Sequence, residues 1–115
     1  MWLPDLVAAE ILKSQANQGM RKELYYFRDQ QGPEVDLLAP RPNANLWLVE
    51  CKAAKTVWPT MASPLLSLRR SLPKRSARLL VVHRKLRSEL ATAALAPGVE
   101  ALDVERFVAQ LNPGK

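Results

Sequence analysis

The chain has one cysteine, Cys51, and one histidine, His83. A single thiol forms no internal disulfide, and one thiol with one imidazole is too small a set for a Cys/His zinc cluster. Any metal must therefore be held mainly by carboxylates. Long apolar runs are also lacking: the uninterrupted ones are no longer than Leu79-Leu80-Val81-Val82, far short of the roughly 20 residues of a membrane-spanning helix. Met1 is not followed by a basic and then apolar leader. The expectation is a soluble, cytoplasmic chain with no membrane partner. Low-complexity tracts, internal repeats and interdomain linkers are missing too. With 48% hydrophobic and 24% charged residues in a chain of 115, the composition is that of an ordinary globular protein. One domain over residues 1–115 is expected, because a chain of this length buries roughly two thirds of its unfolded surface.

Acidic residues are missing from one stretch in particular. Lys plus Arg is 17 and Asp plus Glu is 11, a net charge of +6. Between Arg69 and Arg87 stand Arg69, Arg70, Lys74, Arg75, Arg78, Arg84, Lys85 and Arg87 without one carboxylate. Cations at this density suit a polyanion, and nucleic acid is the expected partner. The plainer alternative is a solvated helix end and loop that keep the chain soluble.

Leu3, Leu6, Val7, Ile11 and Ser14 recur at helical spacing, so a helix is predicted from Pro4 to about Gln18, ended by Gly19. Leu24 to Arg28 is aromatic and β-prone, Gln31-Gly32-Pro33 breaks it, and residues 34–38 alternate polar with apolar. That pattern is a hairpin. A second turn at Pro40, Pro42, Asn43 and Asn45 leads into Leu46 to Lys52, which reads as a buried strand, the third of an antiparallel series. Met61 to Leu72 returns to helical spacing, and Leu79 to His83 reads as a fourth, buried strand. A short helix at Ser88 to Leu95, an edge strand at Val99 to Leu102 and a helix at Val104 to Leu111 complete the reading.

Side chains alternate along a strand, so Glu34 and Asp36 share one face of the second strand, and Glu50 and Lys52 one face of the third. If these strands pair through the Pro40 to Asn45 loop, Asp36 and Glu50 stand side by side. Two adjacent carboxylates repel, and a cation relieves that. Mg²⁺, or Mn²⁺ in its place, takes one or two carboxylates and completes its shell with water and phosphate oxygens. The backbone carbonyl of Cys51 could be a further oxygen ligand, with its side chain turned to the other face. Lys52 could position an attacking water, or deprotonate it if the metal's charge and partial burial lower the lysine's pKa. Glu10 lies on the apolar arc of the first helix and needs a partner: the metal site or Lys52, or, as a boundary residue, Lys13 or an arginine. For Asp36 and Glu50 the plainer alternative is a polar meander face on which carboxylates meet lysines across strands. His83 reads as a surface or phosphate-contacting residue, Trp47 and Trp58 as packing, and Cys51 as a core filler.

Taken in order, Val7-Ala8-Ala9-Glu10-Ile11-Leu12-Lys13, Leu24 to Arg28, Gly32, Glu34-Val35-Asp36 and Val49-Glu50-Cys51-Lys52 resemble the PD-(D/E)XK nuclease superfamily. They are closer still to the domain of unknown function found C-terminal to the ATPase module of prokaryotic AAA-type proteins. The resemblance spans roughly residues 5 to 110 and is most specific in the first half. It implies an α/β, restriction-endonuclease-like core of order α-β-β-β-α-β, with a mixed central sheet of four to five strands flanked by helices. It also implies Asp36 and Glu50 on Mg²⁺, Lys52 assisting the attacking water, and Glu10 as the acidic residue of the first helix. Val35 stands where the superfamily name has proline, and no glutamine-tyrosine motif follows Lys52. The phosphate loop G-x-x-x-x-G-K-[ST] is missing, so an ATPase module is a partner only if the chain belongs to a longer protein.

Two functions follow as expectations. One is metal-dependent phosphodiester hydrolysis of nucleic acid, DNA foremost, with a homodimer natural if both strands of a duplex are cut. The other is a catalytically weak or inactive nuclease-like module that binds nucleic acid or protein.

Overall fold

The computed structural model describes residues 3–28, 35–52, 65–66, 69–70, 77–84, 94–96 and 98–112. Helix α1 (Leu3–Asn17) forms because Leu3, Val7, Ala8 and Ile11 return to one side at helical spacing and bury it. Pro4 sits in the first turn, where the missing N–H costs nothing. Gly19, at φ +71, ends the helix in a Schellman arrangement: Met20 N–H donates to Gln15 O at 2.9 Å and Gly19 N–H to Ala16 O at 3.1 Å.

Strands β1 (Tyr25–Arg28), β2 (Val35–Arg41) and β3 (Asn45–Lys52) form an antiparallel meander. Its second turn, Pro42–Ala44, places Asn43 at φ 65, a left-handed conformation that asparagine tolerates better than most side chains. Strand β4 (Ala77–His83) then runs parallel to β3, so the intervening chain must cross over the sheet. Helical residues at 65–66 and 69–70 lie in that crossover. Beyond β4 come β6 (Val99–Asp103), parallel to it, and β5 (Ala94–Ala96), antiparallel to β6. The six-stranded sheet has the order β1-β2-β3-β4-β6-β5, and helix α2 (Val104–Leu111) follows β6 directly.

The expected mixed α/β sheet flanked by helices is therefore present, one strand wider than expected. Two elements differ. Val99 to Leu102 is not an edge: β5 takes that place, because Gly98 at φ +79 lets the chain turn back on itself. For the same reason Ala94 and Leu95 are strand, not the end of a helix; residues 88–93 of that expected helix lie outside the described residues. Of the helix expected over Met61 to Leu72, residues 65, 66, 69 and 70 are helical, and the rest also lie outside them.

The core has two layers. Leu37, Ala39, Trp47, Val49, Cys51, Leu80, Val82 and Leu102 line the sheet face that receives α1 and α2 through Leu3, Val7, Ile11, Phe107 and Leu111. Leu48, Leu79, Val81, Val99 and Ala101 line the opposite face, which Leu65 covers. Strands β3 and β4 are thus buried on both sides, which is why their sequences are nearly continuous apolar runs. Each fully buried leucine or valine stabilises the fold by about 1.5–3 kcal/mol relative to exposure.

Candidate metal and nucleic-acid site

On the Leu65-covered face, the even-numbered residues of β3 follow one another as Leu48, Glu50 and Lys52. Glu50 is 0% exposed, a depth at which a carboxylate requires compensation. Lys52 Nζ lies 3.5 Å from Glu50 Oε1, and its side chain is only 14% exposed. The β2–β3 register sets Asp36 directly opposite Glu50, and opposed residues of paired strands share a face. The sequence expectation that these positions stand side by side is met by the backbone register.

Cys51, between Glu50 and Lys52, turns its thiol to the other face, where it is buried against the α1 layer. Its backbone lies between Val35 on one side and Val82 on the other. Among the described residues no group of three or more His, Cys, Asp or Glu side chains could hold a metal ion. What the register brings together is the Glu50 carboxylate, the Cys51 backbone and position 36, with the Cys51 sulfur on the other face; carboxylate and carbonyl oxygens are the hard donors that Mg²⁺ or Mn²⁺ takes.

Glu10 is not brought to this face. Helix α1 packs against Val49 and Cys51, on the opposite side of the sheet from Glu50. Glu10 Oε1 lies 3.5 Å from Lys13 Nζ one helical turn on, which is the alternative the sequence left open. The physical reason is alternation: a helix that covers the odd-numbered residues of β3 cannot cover the even-numbered ones.

The parallel pairing of β4 with β3 adds a residue that sequence reasoning placed at the surface. His83 is the register partner of Lys52, shares its face, and is 6% exposed. Its Nδ1 lies 2.7 Å from the carbonyl oxygen of Arg84. The signal for this was weak, since a crossover of unknown path carries no register information. Asp103 occupies the next place in the same row, but its carboxylate accepts from Arg106 N–H at 2.8 Å and caps α2.

The basic stretch is not a uniform surface. Arg70 and Arg84 are exposed and Arg69 is half-buried, whereas Arg78 is committed to the fold. Arg78 forks onto Glu100, Nε to Oε1 at 3.0 Å and Nη2 to Oε2 at 3.2 Å, and its guanidinium stands 5.0 Å from the ring centroid of Trp47. Arg78 therefore corrects the expectation of a phosphate contact: β6 supplies the carboxylate that the stretch itself lacks, and Trp47 places Arg78 on the α1 face. Lys74, Arg75, Lys85 and Arg87 lie outside the described residues, as do Glu34 and Trp58. Trp47 packs edge-on against Phe107, centroids 5.9 Å apart, as expected of a core residue. No helix among the described residues is long and apolar enough to cross a membrane.

No curated protein and no solved structure matches the chain. A family model does match, over residues 4–100, with the description "Domain of unknown function (DUF4143)". The match covers α1 from Pro4 on, the meander, β4, β5 and the first two residues of β6, so this chain belongs to the DUF4143 family.

Proposed function

We propose that the chain is a metal-dependent phosphodiesterase acting on nucleic acid, DNA foremost. The observation that supports it best is the register of Asp36 opposite Glu50, with Lys52 Nζ 3.5 Å from the Glu50 carboxylate at the end of β3. In this reading Asp36 and Glu50 hold Mg²⁺ or Mn²⁺, with the Cys51 carbonyl as an adjacent oxygen. The bound cation would supply charge neutralisation at the phosphate and a more acidic water. Lys52, whose ammonium only donates hydrogen bonds, orients the attacking oxygen and offsets the negative charge that develops on phosphate. Arg69, Arg70 and Arg84, together with Lys74, Arg75, Lys85 and Arg87, hold the backbone phosphates. A cytoplasmic location, a homodimer and membership of the wider PD-(D/E)XK superfamily belong to the same proposal.

One observation favours a second reading. The Glu50–Lys52 pair offsets part of the buried charge without a cation, and Glu10 is paired with Lys13. A binding module for nucleic acid or protein, with an AAA-type ATPase module as a natural neighbour, would keep these pairs for structure alone. Labelled DNA and RNA incubated with Mg²⁺ or Mn²⁺ separate the two. The nuclease reading expects cleavage that is lost by about a hundredfold or more in Lys52→Ala and abolished by chelator. Tight binding of either nucleic acid with no cleavage under any of these conditions supports the binding module instead.

A further inference from the structure

His83 is the one imidazole in the chain, and the fold buries it to 6% exposure. A carbonyl oxygen only accepts, so the 2.7 Å contact with Arg84 O fixes the proton on Nδ1. In the neutral ring the lone pair then sits on Nε2, the atom remote from that carbonyl. Among the described residues the contact with Arg84 is the only hydrogen bond the His83 ring makes. An imidazole whose N–H is held by a backbone carbonyl, with the other nitrogen left basic, is the state in which histidines bind metals.

The strand register supplies the location. Glu50 pairs with Val81 and Lys52 with His83 in the parallel β3–β4 ladder, so His83 stands one strand across and two residues along from Glu50, on the same face. That offset separates the two backbones by about 8 Å, a span a glutamate and a histidine close around one ion. Lys52, the other nearby nitrogen, carries no lone pair when charged and cannot compete as a ligand.

We propose that His83 Nε2 is a nitrogen ligand of the Asp36–Glu50 cation site, which therefore prefers Mn²⁺ to Mg²⁺. The inference rests on the reading of Asp36 and Glu50 as that site's carboxylates. A mixed oxygen and imidazole set favours a transition metal, whereas Mg²⁺ holds to oxygen donors and its own waters.

The test is electron paramagnetic resonance of Mn²⁺ added to the untagged chain, with electron spin-echo detection of ¹⁴N coupling. Because the chain has a single histidine, an imidazole ¹⁴N signal on bound Mn²⁺ identifies His83 without any variant. The expected result is that signal in the wild type and its loss in His83→Ala. Mn²⁺ affinity should fall about tenfold or more in that variant, with Mg²⁺ affinity nearly unchanged. Mn²⁺ bound in a manner that Asp36→Ala and Glu50→Ala abolish, yet without ¹⁴N coupling, overturns the role of His83 alone. A wild type that binds no Mn²⁺ overturns both it and the carboxylate site.

Discussion

The guanidinium of Arg41 donates to the carbonyl oxygen of Leu111 at 3.0 Å, joining the end of β2 to the end of α2. Arg41 is 6% exposed, and burial pushes its pKa down from the usual arginine value. What offsets that cost is the helix C-terminus, whose last carbonyls carry partial negative charge. Ser14 Oγ accepts from the same guanidinium at 3.2 Å and donates to Leu111 O at 3.0 Å, while the ring of Trp47 lies 4.8 Å from the guanidinium carbon. Arg41→Met should lower stability by about 2 kcal/mol in urea denaturation, the loss of charge-assisted hydrogen bonds and a cation–π contact. Arg41→Lys should not restore it, since an ammonium lacks the planar fork that reaches Ser14 Oγ and Leu111 O from two separate nitrogens while facing the Trp47 ring.

Gln15 makes a comparable clamp at the same end of the meander, beside Pro40. Fully buried, it donates from Nε2 to Glu23 O and Pro40 O, each at 2.9 Å, and accepts from Glu23 N–H at 3.0 Å. Gln15→Leu strands a backbone N–H and two carbonyls away from their partner and should cost about 3 kcal/mol. Thermal or chemical denaturation reads it, and a cost below about 0.5 kcal/mol would mean that water or backbone shifts replace the amide.

Much of this was legible in the sequence. The period-two pattern around Asp36 and the apolar run ending Glu50-Cys51-Lys52 were enough to place two strands, their turn and their shared face. The hydrophobic spacing of Leu3, Val7 and Ile11 located α1. The same spacing put Glu10 on the arc near the sheet but could not say which face of the sheet α1 would cover, and that face is the wrong one for Glu50. Arg78 and His83 were misread for a related reason. Both depend on parallel partners in β3 and β6, and neither the length of a crossover nor the composition of a strand reveals a parallel register. Buried Gln15 and Arg41 carry no sequence signature beyond their unusual place among apolar neighbours.

Tyr25 provides a spectroscopic check on the first strand. Its hydroxyl bonds to the Glu23 carboxylate, and that bond, with the carboxylate's charge, raises the phenol above its ordinary value of 10.0. A raised folded pKa means that the interaction is fully present below pH 10 and is lost as the pH climbs through the higher folded value. Tyrosinate absorbance should therefore show one tyrosine titrating late, and Glu23→Gln should return it toward the ordinary range. An unchanged titration in Glu23→Gln would assign the shift to another cause.

Asn43 tests the turn that aligns Asp36 with Glu50. At φ 65, Asn43→Gly should be tolerated, whereas Asn43→Val should destabilise by about 1–2 kcal/mol, because a β-branched side chain resists the left-handed region. The variant should also weaken cation binding more than its stability loss alone explains, since a shifted turn shifts the register and parts the two carboxylates. Calorimetry under conditions where the variant remains folded measures this.

The account stands on Asp36 and Glu50 forming one cation site, and the direct measurement is calorimetric titration of Mg²⁺ and Mn²⁺ into the wild type, Asp36→Ala and Glu50→Ala. The prediction is saturable binding in the wild type that is lost in both variants while circular dichroism shows each still folded. Binding that persists undiminished in either folded variant, or a wild type that takes up neither ion, would contradict it.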